Sequence, residues 1–377
     1  MRAVVAPDKF KGSLSAREAA AAIERGLRAS GRAFESIVTI PMADGGEGTV
    51  EAFLAGGARR MTATVRGPLG DPIAATFALD GDAAIVEMSA ASGLLLIAPE
   101  RRGALHATTF GTGELIAAAL GAGAKRILVG IGGSATNDAG AGMLAALGVR
   151  FLDASGTPLR PGGAALAELV TIDMSGLDAR LKSVAIDAAS DVDNPLCGPN
   201  GASAIFGPQK GASPAEVLAL DRALAHFADV AAITLGADHR NEAGAGAAGG
   251  LGFALRAFLG ARLRPGVEIV AELRGLPQAL RGANAVFTGE GSIDEQTLAG
   301  KTVAGVARLA RAAGVSEIVA FGGRVDPDAA RALRERDGVT TVALAEEGYT
   351  VERAMREAAT LLERAACNFM RMNGNST

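Results

Sequence analysis

Short apolar runs alternate with amphipathic stretches at both ends of this chain. An apolar run too short for a helix predicts a strand, whereas apolar residues with helical spacing predict a helix. The predicted strands at the two ends are residues 4–6, 36–41, 285–287, 317–321 and 339–344. The helices predicted to follow them are residues 15–31, 49–54, 302–313, 327–336 and 351–366. Because this alternation is typical of a parallel sheet with helices on both faces, we expect a flavodoxin-like domain built from both chain ends.

The middle of the chain has a different pattern. Residues 62–66, 73–79 and 84–88 are short segments separated by Gly-, Pro- and Asp-rich turns, which predicts an antiparallel meander. Beyond them, predicted strands at 126–131 and 183–187 mix with predicted helices at 112–120, up to 147, and at 214–232, and residues 191–210 form a long predicted loop. The expected fold class is therefore α/β with two domains. Residues 1–65 plus 283–377 form the flavodoxin-like parallel sheet, and residues 66–282 form an inserted mixed α/β domain.

Composition and charge narrow the class of protein. The 377 residues are 49% hydrophobic and 21% charged, which allows a sizeable core. The net charge is −4, and no apolar run approaches the ~18 residues that a membrane helix needs. We therefore expect neither nucleic acid nor a membrane as partner. We also expect a monomer or a homodimer. The expected location is the cytoplasm, because Cys197 and Cys367 lie far apart and lack metal-ligand spacing, which fits a reducing compartment.

Several glycine-bearing loops lie between a predicted strand and a predicted helix. Ile131-Gly-Gly-Ser-Ala-Thr-Asn-Asp138 offers hydroxyl, amide and carboxylate groups, and Thr288-Gly-Glu-Gly-Ser-Ile-Asp294 is followed by Lys301. Loops with Asp8 and Lys11, and with Asp44, repeat this arrangement near the N-terminus. Free N–H groups and a helix N-terminus attract anions at such a position. The sequence therefore predicts a site for phosphate or another anion.

Carboxylates follow the predicted strands of this chain: Asp44, Asp138, Asp191, Glu290 and Asp294. Because ligands bind at the carboxyl ends of parallel strands, we expect most of these residues to share one site. Phosphoryl transfer needs such a set, since carboxylates bind Mg²⁺ and one of them accepts the proton of the attacking hydroxyl. The lysines of the chain are Lys9, Lys11, Lys125, Lys182, Lys210 and Lys301. Those in glycine- or proline-bearing loops carry a compact ammonium group that suits a phosphate.

Other interpretations stay open from the residues alone. Glycine-rich turns and a carboxylate before a helix are common structural features, so each loop also has a purely structural explanation. The segment Gly244-Ala-Gly-Ala-Ala-Gly-Gly-Leu-Gly252 contains Gly-x-Gly-x-x-Gly, with Glu268 at a suitable distance for a ribose-binding acid. This motif keeps a nicotinamide-dependent hydroxy-acid dehydrogenase as an alternative, although no buried strand is predicted before it. A non-catalytic protein that binds a nucleotide or an organic anion is a further alternative.

A series of motifs runs along nearly the whole chain. In order they are Ala6-Pro-Asp-Lys-Phe-Lys-Gly-Ser-Leu-Ser15, Ala43-Asp-Gly-Gly-Glu-Gly-Thr49, Gly67-Pro-Leu-Gly70, Ile131-Gly-Gly-Ser-Ala-Thr-Asn-Asp138, Asp191-Val-Asp-Asn-Pro-Leu196, Phe206-Gly-Pro-Gln-Lys-Gly211, Gly244-Ala-Gly-Ala-Ala-Gly-Gly250 and Thr288-Gly-Glu-Gly-Ser-Ile-Asp294. Together they resemble the glycerate kinase type 1 family. The resemblance implies a two-domain fold and ATP-dependent phosphorylation of D-glycerate at the 2-hydroxyl to give 2-phospho-D-glycerate. Phosphorylation at the 3-hydroxyl is the alternative.

The resemblance and the residue types together lead to expected roles in a cleft between the domains, with ATP and Mg²⁺ as cofactors. We expect Asp191 to accept the hydroxyl proton, with Asp44 as second choice, and Lys11 to act as a catalytic cation. The expected Mg²⁺ ligands are Asp191, Glu290 and Asp294. The expected ligands of the substrate or of ATP are Asp8, Ser134, Thr136, Asn137, Asp138, Asn194, Lys210, Gly289, Glu290 and Lys301.

Overall fold

The computed structural model describes residues 1–298, 300–344 and 349–372, and the chain divides into two compact units. The first unit consists of Met1–Asp44 and Pro265–Thr377, and the second of Gly45–Arg264. The first unit is therefore built from both ends of the chain, and the second is a continuous insertion.

The strands of the described residues are short, and most run through apolar sequence. They are β1 (Arg2–Val5), β2 (Ser36–Thr39), β3 (Arg59–Arg66), β4 (Pro72–Asp80), β5 (Ala83–Glu87), β6 (Arg126–Gly130), β7 (Arg150–Leu152), β8 (Thr171–Asp173), β9 (Ala185–Ala189), β10 (Arg262–Arg264), β11 (Ala285–Ile293), β12 (Glu317–Val325) and β13 (Val339–Ala343).

The α-helices range from single turns to six turns. They are α1 (Ala16–Ala29), α2 (Thr49–Ala55), α3 (Ser89–Ser92), α4 (Phe110–Gly121), α5 (Ala141–Ala146), α6 (Ala202–Phe206), α7 (Pro214–Leu235), α8 (Ala247–Leu259), α9 (Gly266–Leu273), α10 (Leu276–Leu280), α11 (Glu295–Leu298), α12 (Thr302–Ala312), α13 (Pro327–Asp337), α14 (Val351–Arg356) and α15 (Ala358–Met372). Short 3₁₀ turns lie at Leu94–Leu96, Pro99–Arg101, Gly163–Glu168, Ala179–Ser183 and Pro208–Lys210. Among these described helices, none combines the length and the apolar character that crossing a membrane requires.

The first unit contains a parallel sheet in the order β13-β12-β11-β1-β2. Numbered within the unit, this is the 2-1-3-4-5 order of a flavodoxin-like sheet. The two chain ends meet at its centre, where β1 pairs with β11 and Val4 lies opposite Val286. The expected flavodoxin-like sheet from both chain ends is confirmed.

Helices α1 and α15 cover part of this sheet and touch each other closely. A Cβ atom added at Gly26 of α1 would lie 2.2 Å from the carbonyl oxygen of Glu363 in α15, so glycine is what permits this approach. Under the helices, the rings of Phe287 and Phe321 are stacked with their centroids 6.4 Å apart, and the ring of Phe369 packs edge-on against that of Phe287. The sheet is thereby fixed by apolar contacts from both ends of the chain.

The second unit contains a mixed sheet in the order β10-β9-β6-β5-β4-β3. Strands β3, β4 and β5 are antiparallel neighbours, whereas β5, β6, β9 and β10 are parallel. The predicted meander and the mixed α/β character of the inserted domain are confirmed.

The core beside this sheet is centred on Phe227. The centroid of its ring lies 5.7 Å from the ring centroid of Phe151 and 5.9 Å from that of Phe253. Truncating such a ring to alanine costs about 3–5 kcal/mol.

Two segments fall on the other side of the boundaries that the sequence predicts. Residues 45–65 belong to the second unit because β3 pairs with β4 along its whole length and α2 packs on β4 and β5. Residues 265–282 belong to the first unit because α9 and α10 pack on α12. Tertiary contacts, which no local pattern reports, therefore set the boundaries of the compact units.

Some elements also differ from the local predictions. The long loop predicted at 191–210 contains helix α6 and a 3₁₀ turn at Pro208–Lys210. The strand predicted at 183–187 is shifted to Ala185–Ala189, because pairing with β6 places Ile186 opposite Ile127. Pairing partners, which the local sequence does not contain, decide strand ends of this kind.

Candidate active site

A cavity of about 860 Å³ lies within the first unit, at the carboxyl ends of its parallel strands. Asp8 follows β1, Glu290 lies in β11, Arg324 ends β12 together with Val325, and Leu344 follows β13; all of them line the cavity. In an open α/β sheet, ligands bind at this edge, where the strand order reverses. In this sheet the reversal lies between β1 and β11.

The segment predicted as the loop 288–294 is strand over most of its length. β11 continues to Ile293 and stays paired with β12, so that Glu290 lies opposite Gly322. A Cβ atom added at Gly289 would lie 2.6 Å from the carbonyl oxygen of Phe321. The loop prediction is wrong here because these glycines allow two backbones to pack closely, and strand pairing outweighs the turn-forming tendency of glycine. The side chain of Glu290 is consequently carried by a paired strand.

Two carboxyl groups of this cavity are almost fully buried. Asp8 is 7% exposed and accepts a hydrogen bond from the Thr302 hydroxyl, and Glu290 is 9% exposed and accepts one of 2.5 Å from the Thr297 hydroxyl. Burial raises the pKa of Asp8 to about 6, and the charge of Asp44 adds to this effect. Burial raises the pKa of Glu290 to about 7, with Asp8 adding to it. Near neutral pH, these groups therefore favour either a proton or a nearby positive charge.

Basic side chains line the same cavity: Lys9, Lys11, Lys301 and Arg324. Lys301 stands at the N-cap position of α12, and its Nζ donates a 2.7 Å hydrogen bond to Gln296. Arg324 is brought in by strand pairing, since it lies opposite Ser292 in the β11–β12 register. Lysine, guanidinium and a helix N-terminus together make a region that suits phosphate or carboxylate oxygens.

The carboxylates of the cavity are chemically suited to a hard cation. Asp44 and Asp294 line it together with Asp8 and Glu290, and Asp294 also accepts a 2.9 Å hydrogen bond from the backbone of Gln296. Within the described residues, no group of three or more His, Cys, Asp or Glu side chains is arranged to hold a metal. Mg²⁺ does not need such a cage, because one or two carboxylates and substrate phosphates complete its shell. The donor set therefore fits Mg²⁺ held jointly with a phosphate.

In the second unit, Asp138 lies in the loop between β6 and α5, as predicted, and is 1% exposed. Its carboxylate accepts hydrogen bonds from the backbone N–H and hydroxyl of Thr109 at 2.8 and 2.9 Å, and from the N–H groups of Gly140 and Gly142 at 3.1 and 3.2 Å. Burial raises the pKa of Asp138, and these donors oppose that shift. These contacts join the start of α4 to the start of α5, while the predicted role of Asp138 in ligand binding stays a prediction.

Lys210 is buried beside the same loop, with 1% of its surface exposed. Its Nζ donates a 2.7 Å hydrogen bond to the carbonyl oxygen of Thr136, and burial lowers its pKa to about 7. Asn137 is also fully buried and donates a 2.8 Å hydrogen bond to Ser203, while Ser134 is 8% exposed. Among the described atoms, the Thr136 hydroxyl and the Asn137 amide oxygen have no hydrogen-bond partner. Lys210 thus stabilises the loop through its hydrogen bond to Thr136, and its expected contact with a ligand stays a prediction.

The glycine-rich segment 244–250 packs against this loop. A Cβ atom added at Gly249 would lie 2.0 Å from the carbonyl oxygen of Thr136, and one at Gly250 would lie 2.6 Å from the Cα of Ala139. Within the described residues, no strand directly precedes the segment, which opens helix α8 after a series of turns. The glycines serve backbone packing, and this removes the basis of the dinucleotide alternative.

Asp191 and Asn194 lie in the loop after β9, also in the second unit. Asp191 is exposed, and Asn194 donates a 2.9 Å hydrogen bond to the carbonyl oxygen of Asn200. The carbonyl oxygen of Asn194 accepts a 2.8 Å hydrogen bond from Gly246, which ties this loop to the glycine-rich segment. Their expected catalytic and ligand-binding roles stay predictions.

Sequence reasoning missed several residues of the first-unit cavity: Thr297, Arg324, Tyr349 and Met355. Arg324 does carry a signal in the sequence, because Gly322-Gly-Arg324 follows an apolar run in the same way as the predicted phosphate-binding loops. Tyr349 and Met355 carry no such signal, since Met355 lies in α14 and Tyr349 just before it, and only the tertiary fold brings both to the cavity. The predicted residues that the structure brings together in this cavity are Asp8, Lys11, Asp44, Glu290, Asp294 and Lys301.

The fold and this set of groups define an α/β enzyme with a small-molecule site at the edge of a flavodoxin-like sheet. Residues 3–373 match the glycerate kinase family. A glycerate kinase of Bacillus subtilis (strain 168) is 47% identical over 371 residues, which cover 97% of this chain and 96% of the relative. A glycerate 2-kinase of Escherichia coli (strain K12) is 52% identical over 317 residues, which cover 82% of each chain.

A solved structure is also similar to this chain over its whole length. The crystal structure of a protein from Salmonella typhimurium LT2, described as a glycerate kinase 2, superposes with a TM-score of 0.88 at 43% identity and covers 99% of this chain and 98% of that one. The chain belongs to the glycerate kinase family and is a kinase. The family resemblance expected from the motifs is confirmed.

Proposed function

We propose that this protein transfers the terminal phosphoryl group of ATP to the 2-hydroxyl of D-glycerate and forms 2-phospho-D-glycerate. The observation that carries this proposal is the cavity of the first unit, where carboxylates and basic groups lie together at the strand ends of a glycerate kinase family member. The 2-position is supported by the Escherichia coli relative, which is a glycerate 2-kinase.

The basic groups of the cavity would bind the anionic oxygens of both substrates. Lys11 is exposed, and Lys301 stands at the N-terminus of α12, where the helix dipole adds to the attraction for an anion. Either lysine is suited to the carboxylate of glycerate. Arg324 offers a planar guanidinium that matches phosphate oxygens in a bidentate arrangement.

Mg²⁺ would be held by Glu290 and Asp294 of the first unit, with Asp191 of the second unit as the further predicted ligand. When bound, Mg²⁺ neutralises charge on the phosphate oxygens. The buried position of Glu290 already favours a cation at this site. Because burial disfavours the ionised form of Glu290, that carboxylate becomes favourable only beside positive charge, and Lys301 already contributes some of it.

The reaction also needs a group that accepts the proton of the glycerate hydroxyl. Asp191 is the first choice, and Asp44 is the second. Asp44 is half-buried and lines the cavity that contains Asp8 and Glu290. Asp191 belongs to the second unit, so its role as the base depends on the predicted cleft between the domains, which stays a prediction.

The test is ³¹P NMR of the protein with Mg-ATP and D-glycerate. We expect the ATP resonances to decay while a phosphomonoester resonance grows that is split by a single methine proton, as in a 2-phosphate. Splitting by a methylene pair would mean that the 3-hydroxyl is the acceptor. If ATP is consumed without a phosphomonoester, or not consumed, phosphorylation of glycerate is ruled out.

A further inference from the structure

The first-unit cavity is larger than the acceptor substrate requires. Its volume of about 860 Å³ lies within the range of about 300–1,000 Å³ that is typical of pockets for drug-sized ligands. A three-carbon hydroxy acid would fill only a small part of it. The cavity therefore has room for a larger molecule, alone or together with glycerate.

The lining of the cavity combines charged and apolar side chains. The charged groups already described come from the segments after β1, β2 and β11, from β11 and β12, and from the N-terminus of α12. Apolar side chains from the end of β12, from the segment after β13 and from helices α14 and α15 form an apolar wall of the same cavity: Val325, Leu344, Ala354, Met355 and Leu361. A ligand that matches both kinds of lining needs an anionic end and an apolar end, since apolar surface gains most from covering apolar surface.

Of the two substrates in the proposed function, only the nucleotide has both ends. We infer that the apolar wall around Leu344 and Met355 is the subsite for the base of the phosphoryl donor, and that the donor's phosphates point toward Lys301 and Arg324. This inference rests on the proposed kinase reaction, and it assigns the nucleotide to the first unit. Glycerate makes no contact with the apolar wall.

Tyr349 offers a direct reporter of this subsite. It lines the cavity and is the only tyrosine in the sequence, so protein made with 3-fluorotyrosine gives one ¹⁹F resonance. We expect Mg-ADP to shift this resonance and D-glycerate alone to leave it unchanged. A shift with D-glycerate but none with saturating Mg-ADP would overturn the inference.

A substitution at Met355 separates the base from the phosphates. Met355 is 38% exposed, so Met355→Gln replaces apolar contact by a neutral polar group of similar length with little risk to folding. We expect the affinity for Mg-ADP, measured by calorimetry, to fall about three- to tenfold, because apolar contact with the base is lost. The affinity for inorganic tripolyphosphate with Mg²⁺ should stay unchanged, because that probe has no base.

Met372→Gln is the matched control, since Met372 is 71% exposed at the end of α15 and does not line the cavity. It should leave the affinities for all three probes, Mg-ADP, tripolyphosphate and D-glycerate, as in the wild type. Equal losses for Mg-ADP and tripolyphosphate in Met355→Gln, or no loss for Mg-ADP, would overturn the base subsite. Phosphorylation of glycerate would then still stand, because ³¹P NMR measures it separately.

Discussion

The carboxyl groups of Glu290 and Asp8 are buried, and each accepts a hydrogen bond from a threonine hydroxyl. Asp8 also accepts one from the backbone N–H of Lys9. Burial raises both pKa values, and a neighbouring carboxylate adds to the rise: Asp44 at Asp8, and Asp8 at Glu290. The same residues would be ordinary ionised side chains on a surface. Because burial raises their pKa values to about 6 and about 7, these two groups change protonation state near neutral pH.

The pH dependence of stability should reflect Glu290. Its pKa rises from 4.5 to about 7 on folding, so the folded state binds more protons than the unfolded state between these values. Its contribution to stability is therefore fully present below pH ~4.5 and is lost as the pH rises through ~7. We expect Glu290→Gln, which keeps an acceptor for Thr297, to raise the free energy of unfolding at pH ~8 by about 1–3 kcal/mol relative to the wild type.

Urea unfolding at several pH values measures this effect. Glu295→Gln is the control, because Glu295 is an exposed glutamate on the neighbouring helix α11. The control should keep the pH slope of the wild type. An unchanged slope in Glu290→Gln as well would contradict the assigned effect of burial.

The proton acceptor can be identified by comparing two substitutions. Loss of a general base lowers kcat by about 10²–10⁴-fold while the KM for ATP changes little. We expect Asp191→Asn to show this loss and Asp44→Asn to show a smaller one. Asp193→Asn, at an exposed position in the same loop as Asp191, is the control and should keep its activity. The reverse order of the two losses would make Asp44 the base, and near-normal kcat in both would exclude both residues.

At the scale of elements, glycine decides how closely loops and helices approach. The kink at the start of α8 has positive φ at Ala248, Gly249 and Gly250. It brings the backbone of α8 against the loop that carries Thr136 and Asn137. A motif that suggests phosphate binding therefore acts here as a packing surface, and the polar loop beside it depends on that surface.

Gly249→Ala should destabilise the protein by about 3 kcal/mol or more, because it adds a severe contact to the cost of a left-handed backbone. Gly260→Ala is the matched control, at the C-cap of the same helix. Gly260 has φ +65°, close to the +70° of Gly249, but an added Cβ there meets nothing within 4 Å. It should cost only about 1 kcal/mol, from backbone strain alone. Thermal unfolding of both variants measures the difference, and equal losses would show that the contact with Thr136 is relaxed at little cost.

At the scale of the whole molecule, the two units differ in how the chain builds them. The second unit is one continuous segment with its own sheet and its own core around Phe227. The first unit needs both chain ends, since β1 pairs with β2 on one side and with β11 on the other. Continuity in sequence therefore favours independent folding of the second unit only.

A fragment of residues 45–264 should fold by itself and unfold cooperatively, because all the strand partners of its mixed sheet lie within it. Far-UV circular dichroism and a thermal transition would show this. A fragment of residues 1–44 should stay unfolded, because it lacks β11 and helix α15. If the fragment 45–264 shows no cooperative transition, the second unit depends on the rest of the chain.

The amino-acid sequence by itself determined the class of fold, most of the strands and helices, and the family. Apolar periodicity and capping residues act locally, so Ser15 and Glu18 form the capping box that the sequence predicts. The carboxylates at the strand ends were also predictable, because parallel strands deliver their ends to one edge of a sheet. Asp8, Asp44 and Glu290 line one cavity for that reason.

Only the tertiary structure decided what depends on distant partners. It made the segment after Thr288 a strand, since β12 offers it a partner, and it made Gly244–Gly252 a packing surface. It brought Arg324, Tyr349 and Met355 to the cavity from elements that follow β11 in the chain. Burial, which raises the pKa values of Asp8 and Glu290 and lowers that of Lys210, is likewise absent from any local pattern, because it is created by residues far away in sequence.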